Sequence, residues 1–215
     1  MSTSKRRGRP PATESPAALA DILSTALKTF AENGYEGTSA AALNRELGVS
    51  HNLIHQRFGS KEDLWYAAVD WAFGQIDDEI AIDPELADSD LMEALRRGLI
   101  EFLEVHARHP EILRLVTVEG ANASPRLTYL FDAHIRPLYA RLTAPLKTLV
   151  DRGVLTDVDV RSLHFLVAHG GTSPFSLAPF AKMLEPVDPS DPTAVRRHAE
   201  FVADLVVAGL RARGA

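Results

Sequence analysis

The sequence predicts an all-α protein that consists of a three-helix head and a larger helical domain. Apolar residues recur three or four positions apart along most of the 215 residues, and no convincing alternating strand pattern occurs. Serine and proline stand where helices are expected to begin, and glycine and proline stand where they are expected to end. With 46% apolar residues the chain can bury a sizeable core.

The chain is expected to divide into three parts. Residues 1–14 contain too few apolar side chains to offset the entropy of ordering, so we predict a flexible basic arm there. The head and a connecting helix are expected at 15–82, and the second domain at 83–215. The boundary follows from the acidic, proline-containing stretch from Asp83 to Asp90, which predicts a loop.

The head begins with an amphipathic helix. Ser15 is a good N-cap, Pro16 suits the first helical position, and Gly34 ends the pattern. Its apolar face is formed by Leu19, Ile22, Leu23, Ala26, Leu27, Phe30 and Ala31. The residues expected to cover this face come from the next segment and are Leu43, Leu47, Val49, Ile54 and Phe58.

Two short helices joined by a turn are predicted in residues 38–61. Helix formers run from Ser39 to Leu47, Gly48 can adopt the left-handed turn conformation, and Ser50 can cap the second helix. This spacing is typical of a helix-turn-helix, whose second helix reads the major groove of DNA.

A fourth helix is expected to leave the head. Residues 60–63, Ser-Lys-Glu-Asp, have the form of a capping box with Asp in place of the usual Glu or Gln, and the helical pattern continues to about Ile80.

In the second domain the pattern predicts helices at 90–108, 111–119, 125–152, 158–172, 175–184 and 192–212. Pro137 and Pro145 predict bends or a break in the third of these segments.

The chain resembles the TetR family of bacterial transcriptional regulators over its full architecture. The residues that carry the resemblance are Thr38, Leu43, Leu47, Gly48, Val49, Ser50, Ile54, Phe58, Ser60, Lys61, Asp63 and Leu64. The resemblance implies a ligand-responsive regulator, most often a repressor, that binds a palindromic double-stranded DNA operator as a homodimer. A small-molecule effector then releases it. Recognition helices of such a dimer lie about 34 Å apart, one turn of the duplex.

The helix-turn-helix supplies the candidate DNA contacts. His51, Asn52 and Gln56 are expected to read base edges, and Leu53 can touch a thymine methyl group. The other candidates, chiefly for phosphates, are Thr38, Ser39, Ser50, His55, Arg57 and Lys61. Helix capping and solvated polar side chains are the alternative interpretation of these residues.

Two positions depart from the family pattern. His55 stands where members commonly have a phosphate-binding tyrosine, and Asn44 stands where a small alanine often packs. A neutral histidine donates to phosphate more weakly than a charged one, so we expect operator binding to strengthen at mildly acidic pH.

The arm carries a further candidate DNA contact. Its basic residues are Lys5, Arg6, Arg7 and Arg9. The core Arg-Gly-Arg-Pro resembles the AT-hook, which lays arginines in the narrow minor groove of A·T-rich DNA. We expect contact with the minor groove or with phosphates; a solvated tail is the alternative.

The resemblance also implies functions for the second domain. Residues expected to line an effector pocket are Phe102, His106, Phe131, His134, Tyr139, Phe165 and His169, with core packing as the alternative for each. The last two long helices, near 158–172 and 192–212, are expected to pair across the dimer. Their apolar small-residue surface is expected at Leu205, Val206, Ala208, Gly209 and Leu210.

The composition of the chain argues against several other classes of protein. The net charge of −6 argues against nonspecific nucleic-acid binding by the whole molecule, and residues 1–75 hold as many basic as acidic side chains. The chain has no cysteine, which excludes disulfides and Cys-based metal sites. No apolar run is long enough for a membrane span, so we expect a cytoplasmic protein without a membrane partner.

Two alternative functions stay open at this point. No catalytic or cofactor motif occurs, so we expect neither a cofactor nor an enzymatic activity. The histidines of the second domain, His106 and His109 in particular, nevertheless leave a metal-dependent enzyme as one alternative. The basic arm leaves a ligand-independent DNA-binding protein as the other.

Overall fold

The computed structural model describes residues 16–48, 53–80, 90–156 and 158–214, which are largely helical and contain no strand. The helices are α1 (Pro16–Gly37), α2 (Ala40–Glu46), α3 (Leu53–Phe58), α4 (Lys61–Glu79), α5 (Leu91–Arg108), α6 (Pro110–Gly120), α7 (Pro125–Leu130), α8 (Arg136–Asp151), α9 (Val160–Phe165), α10 (Ser173–Ser176), α11 (Ala178–Leu184) and α12 (Pro192–Gly214). Two π-helical turns, Phe131–Ile135 and Leu166–Gly171, follow α7 and α9. The all-α prediction is confirmed.

Helix α1 bends at Gly34, where the sequence predicts its end. Gly34 has φ 69° and ψ 169°, a conformation that residues with a Cβ rarely adopt, and a short helical stretch then runs to Gly37. The buried Thr38 follows, and its hydroxyl donates to the Gly34 carbonyl oxygen at 2.8 Å. The bend and this hydrogen bond turn the chain from α1 into α2.

The three helices of the head share one hydrophobic core. The α1 residues predicted to form its apolar face are buried, namely Ile22, Leu23, Ala26, Leu27, Phe30 and Ala31, with Leu19 partly buried beside them. Leu43 of α2 and Ile54 of α3 are buried in the same cluster, with exposed fractions of 0% and 1%. The predicted three-helix module is confirmed.

Helix α4 joins the head to the second domain. Ser60 caps it by accepting from the Asp63 N–H at 3.0 Å, and the Ser60 hydroxyl donates to the Asp63 carboxylate at 2.6 Å. The helix ends at Glu79, with Ile80 as its C-cap. Because α4 packs on α1 and α3 while Ile76 and Ile80 belong to the same buried cluster as α5 residues, one helix serves both parts.

Helix α5 is central to the second domain. It packs most extensively against α12 and also contacts α6 and α8. Helix α6 in turn packs along α1, which gives the head a second attachment besides α4. Among the described residues, no helix combines the length and the apolar content that a membrane span requires.

The segment from Pro125 to Asp151 is interrupted, as its prolines predict. Pro137 has no N–H to donate to the preceding turn, and the α-helical pattern gives way to the π-helical turn Phe131–Ile135 just before it. Pro145 lies inside α8, which continues beyond it. The interruption therefore falls at the first of the two prolines.

Candidate functional site

The turn of the helix-turn-helix begins at Gly48. Ser39 caps α2 by accepting from the Ala42 N–H at 3.1 Å, and Gly48 adopts a φ of 63° after the helix ends. The Gly48 conformation matches the sequence prediction, and the Ser39 cap is the alternative interpretation that the sequence left open for this residue. The remaining predicted contacts of the turn and the arm lie outside the described residues; they are Ser50, His51, Asn52, Lys5, Arg6, Arg7 and Arg9.

Asn44 holds the two helices of the motif together. Its side chain is 3% exposed, and its Oδ1 accepts from the Ile54 N–H at 3.4 Å. This N–H belongs to the first turn of α3, where backbone donors lack a partner in their own helix. The asparagine at this position therefore supplies a polar tie between α2 and α3 that an alanine could not.

Helix α3 turns its polar side chains to solvent. His55 and Gln56 are exposed, and Leu53 and Arg57 are partly exposed. Ile54 anchors the helix in the core of the head. The candidate base-reading and phosphate-binding side chains on α3 are thus accessible to a partner.

A backbone hydrogen bond fixes the His55 ring. Nδ1 of His55 lies 2.6 Å from the Gly59 carbonyl oxygen. Because a carbonyl oxygen only accepts, Nδ1 carries the proton and Nε2 is left for an external partner. The neutral ring then offers an acceptor at Nε2, and only the protonated ring offers a donor to phosphate.

Thr38 and Lys61 make their contacts inside the head. Thr38 is 2% exposed with its hydroxyl directed inward, so its burial favours the structural interpretation of this residue. Lys61 Nζ donates to the carbonyl oxygens of Tyr35 and Thr38, both at 2.9 Å. These carbonyls lie at the C-terminal end of α1, where the helix dipole favours a cation. Lys61 therefore ties the start of α4 to the end of α1.

Two cations lie against the Tyr35 ring. Lys61 Nζ is 3.8 Å and Arg126 Cζ is 3.7 Å from the ring centroid. Arg126, on α7, also has its Nε 3.4 Å from a carboxylate oxygen of the buried Glu119. Burial, followed by the charge of Glu62, raises the pKa of the Tyr35 hydroxyl, which keeps it protonated. The cluster links the head to α6 and α7.

The second domain binds acidic side chains of α4. Asp70 accepts from the Tyr129 hydroxyl at 2.7 Å and from His134 Nε2 at 2.8 Å. Burial and the hydrogen bond to Asp70 raise the pKa of Tyr129 to about 12. Further along α4, Asp77 accepts from Arg141 Nη2 at 2.8 Å. Residues of α7, the π-helical turn and α8 are thus attached directly to the connecting helix.

Glu79 is a third acidic attachment, at the end of α4. It accepts from His109 Nε2 at 2.8 Å and from Arg108 Nε and Nη2 at 2.9 and 2.7 Å. The hydrogen bond from His109, opposed by burial and reinforced by Arg108, lowers the pKa of Glu79. A shift of the second domain's helices would therefore act on α4 at several points along its length.

The second domain contains an apolar cavity of about 560 Å³, a size typical of small-molecule sites. It lies between α5, α8 and the region of α9, and Ile80 at the end of α4 contributes to its wall. The other apolar residues of the wall are Leu91, Ala94, Leu95, Leu99, Phe102, Leu142, Ala144, Pro145, Leu146, Val160, Leu163, Val167 and Ala168.

A few charged or ionisable groups interrupt this apolar wall. They are Arg97, Glu101, Arg141, Arg152 and His164. Nε of Arg141 is buried and has no hydrogen-bond partner among the residues that the structure describes. Burial, together with the charge of His169, lowers the pKa of His164, which favours the neutral ring.

The predicted pocket residues are divided between three places. Phe102 lines the large cavity, and Phe102, His106, Tyr139 and His169 line an adjacent cavity of about 40 Å³. Phe131, His134 and Phe165 line neither.

The three residues outside the cavities have other surroundings. His134 binds Asp70, as above, and stacks on Phe73 with ring centroids 4.7 Å apart. Phe131 and Phe165 are 44% and 58% exposed, and Arg136 lies over the Phe131 ring at 4.8 Å. The π-helical turn at 131–135 adds a residue to that turn, so faces assigned from a regular α-helical repeat shift there.

The arginines and most of the aliphatic wall are not among the pocket residues predicted from the sequence. Those predicted residues are aromatic or histidine, whereas the cavity is built mainly from leucine, valine and alanine. The available signal was the apolar face of α5, where Leu91, Leu95, Leu99 and Phe102 recur at helical spacing.

His106 and His109 point to different partners. His106 is 2% exposed, and its Nδ1 donates to the Phe102 carbonyl oxygen at 2.7 Å. Burial lowers the pKa of His106 to about 4, in spite of this hydrogen bond. Within the described ranges, no group of three or more His, Asp or Glu side chains is arranged to hold a metal ion. These two histidines therefore lend no support to the metal-dependent alternative.

An exposed apolar face runs over the helices expected to form the dimer. Its main residues are Phe165, Leu166, Phe201 and Leu205, with exposed fractions of 58%, 62%, 62% and 58%. Ala208 and Gly209 are also exposed. Val206 and Leu210, which the sequence assigned to the same surface, are instead buried in the protomer's own core, because α12 packs one face against α5.

Two family models match separate segments of this chain. The family model for bacterial regulatory proteins of the tetR family matches residues 22–68, and the model for a tetracyclin repressor-like C-terminal domain matches residues 92–206. The HTH-type transcriptional regulator RutR of Escherichia coli K12 is 28% identical over 89% of this chain and 90% of its own length. The HTH-type transcriptional repressor NicS of Pseudomonas putida is 24% identical over 89% and 91%.

The fold also matches solved structures. The crystal structure of HlyIIR, a hemolysin II transcriptional regulator, superposes with a TM-score of 0.66 over 91% of this chain and 97% of that chain, at 23% identity. This likeness concerns the fold, a helix-turn-helix head on a helical C-terminal domain.

Proposed function

The chain belongs to the TetR family of bacterial transcriptional regulators, and we propose that it is a cytoplasmic repressor that binds a palindromic operator as a homodimer and leaves it when a small molecule binds. The observation that carries this proposal is the shared helix α4. One part of α4 packs within the head, and its end at Ile80 forms part of the cavity wall. An occupant of the cavity would therefore act on the helix that positions the reading head.

The head is proposed to bind DNA through α3 and the arm. Gln56 and Leu53 on α3, with His51 and Asn52, are the proposed base-reading residues. Ser39, Ser50, His55 and Arg57 are proposed at phosphates, and the four basic residues of the arm in the adjacent groove. Lys61 uses two of its three N–H donors inside the head, and the third is proposed at a phosphate. The accessibility of His55 and Gln56 supports this assignment.

The dimer is proposed to form through the last two long helices. Phe165, Leu166, Phe201 and Leu205 give this face large apolar side chains that the protomer leaves exposed. An exposed apolar patch of this kind is typical of an interaction surface. A two-fold axis through it would present the two α3 helices to successive turns of DNA.

The effector site is proposed to be the large cavity. Its volume, its mostly aliphatic wall and its few polar groups suit a small organic molecule. The ties from Asp70, Asp77 and Glu79 to the second domain support a route from the cavity to the head. An effector that favours a different position of α8 or α5 would shift the population of head orientations.

Selection of bound DNA from a random pool at defined salt tests the DNA-binding part of the proposal. We expect enrichment of a palindrome whose half-sites are centred about one helical turn apart. Enrichment without symmetry would contradict the dimeric arrangement. Failure to enrich any sequence would favour nonspecific, ligand-independent DNA binding over repression.

A screen for operator release tests the effector part. The selected operator, labelled with a fluorophore, is incubated with the protein and a panel of metabolites, and release is followed by anisotropy. Release by one compound class that also raises the protein's melting temperature would support the cavity as the effector site. If no compound changes operator affinity, ligand-independent DNA binding is the better description.

A further inference from the structure

We propose that the cavity binds an amphipathic carboxylate, and that Arg141 both recognises its charge and reports its presence to α4. This inference rests on the proposed effector site and adds the chemical class of the ligand. Its three supports are the charge of the cavity wall, the unpaired donor of Arg141 and the contact of the same guanidinium with the connecting helix.

The charged groups of the wall favour an anion. Among the residues that the structure describes, Arg97, Arg141 and Arg152 line the cavity together with one carboxylate, Glu101. Arg97 is paired with Glu93 at 3.3 Å, which offsets part of its charge. Arg152 is exposed and marks the solvent side. The rest of the wall is aliphatic, so a ligand that fits it needs an apolar body with one negative end.

Arg141 has a donor that the protein leaves unused. Its Nη2 donates to Asp77, but its Nε is buried without a hydrogen-bond partner among the described residues. A buried donor without a partner is costly, and a carboxylate oxygen beside it would remove that cost. Guanidinium groups hold carboxylates through two parallel N–H donors, so the ligand would compete with Asp77 for the same group.

This competition gives the ligand a direct effect on the head. The Arg141–Asp77 ion pair, at 2.8 Å, attaches α8 to α4 close to the end of the connecting helix. A ligand carboxylate that draws the guanidinium toward the cavity weakens this attachment. The remaining hydrogen bonds of Asp70 and Glu79 to the second domain would then determine the new position of α4.

Titration calorimetry with dodecanoate and 1-dodecanol below their aggregation concentrations tests the proposal. The two probes share one apolar chain and differ in charge. We expect the wild-type protein to bind dodecanoate about tenfold or more tightly than dodecanol. Arg141→Gln should abolish that preference while leaving dodecanol affinity unchanged, which also verifies that the variant is folded.

Two further variants test whether the preference for dodecanoate depends on Arg141 itself and not on the net charge of the protein. Arg136→Gln is the matched control, because Arg136 lies on the same helix and pairs with Asp132 outside the cavity. It should keep the preference for dodecanoate. Asp77→Asn removes the competitor for Arg141 and should tighten dodecanoate binding by about twofold to fivefold, as expected for a partly exposed ion pair.

Three results would overturn the proposal: equal affinity for the two probes, no binding of either, or an Arg141→Gln variant that keeps the preference. The calorimetry is carried out without DNA, so a negative result would contradict the ligand assignment but not operator binding. Conversely, a protein that prefers dodecanoate but enriches no DNA sequence would support the ligand assignment and contradict the proposed repressor function.

Discussion

Lys61 and Tyr35 are joined twice, because the Lys61 ammonium donates to the Tyr35 carbonyl oxygen at 2.9 Å and lies 3.8 Å from the centre of the Tyr35 ring. Arg126 of the second domain contacts the same ring. One tyrosine at the end of α1 therefore receives a cation from the start of α4 and another from α7. The orientation of the head depends on side chains from both parts of the molecule.

Replacement of Lys61 by glutamine is expected to destabilise the protein by about 1–3 kcal/mol. The change removes the cation from two carbonyl oxygens at the C-terminal end of α1. Urea unfolding followed by circular dichroism measures the effect. Lys28→Gln, an exposed position on α1, is the control and should shift the midpoint little. Equal shifts for both variants would contradict the structural role of Lys61.

Gly34 is expected to tolerate alanine poorly. A Cβ at this position would meet Val118 Cγ1 at 3.5 Å, which is ordinary contact, so the penalty comes from the backbone angles. We expect Gly34→Ala to lower the free energy of unfolding by about 1–3 kcal/mol. Gly37→Ala, three residues away without a positive φ, should be neutral or slightly stabilising. A comparable loss at both positions would show that the bend is not the cause.

Acidification is expected to destabilise the protein through His106. Burial lowers the pKa of this side chain to about 4 in the folded state, whereas an unfolded histidine titrates near 6.5. Between these values the unfolded chain binds the extra proton, so stability present at neutral pH is lost as the pH falls from about 6.5 to about 4. The expected loss is about 3 kcal/mol.

His106→Phe isolates this contribution. The variant should show a flatter decline of unfolding free energy over that pH range than the wild type. His164 and His169, whose pKa values are also lowered by burial, contribute with the same sign in both proteins and cancel in the comparison. Parallel pH profiles of the two proteins would exclude His106 as the acid-sensitive group.

The apolar face of α12 is expected to hold the dimer. Phe201 and Leu205 are exposed in the protomer, so replacing both by glutamate should leave its core intact while burying charge in the interface. We expect a monomer in sedimentation equilibrium and a marked loss of operator affinity. Met183→Glu, at an exposed apolar position on α11, is the control and should stay dimeric. A double variant that remains dimeric would move the interface elsewhere.

The positions of the helices could be predicted from the sequence, whereas the residues that line the cavity could not. Caps at Ser39 and Ser60 and the glycines Gly34 and Gly48 act on their immediate neighbours, so local pattern locates them. The cavity depends on which faces of α5, α8 and α9 meet across the domain. Helical periodicity identifies an apolar face, but it does not say which neighbouring face that surface contacts.

Residues with two plausible environments were the hardest to assign. The sequence predicts Val206 and Leu210 on the dimer surface, yet α12 buries them against its own protomer. It predicts His134 in the effector pocket, yet His134 binds Asp70 on α4. Arg141 gave no sequence signal at all, because its position opposite Asp77 follows from the packing of α8 against the connecting helix.

Operator binding is expected to strengthen when tyrosine replaces His55. The Gly59 carbonyl oxygen holds the Nδ1 proton, so the neutral ring directs an acceptor at Nε2 outward and repels a phosphate oxygen. A tyrosine hydroxyl offers a donor at this position instead, and one neutral hydrogen bond corresponds to about threefold to tenfold in affinity. Anisotropy titrations of the operator at fixed pH and ionic strength measure the change. His55→Phe, whose ring has no donor, is the control and should not gain affinity. An unchanged affinity in His55→Tyr would leave position 55 without a phosphate contact.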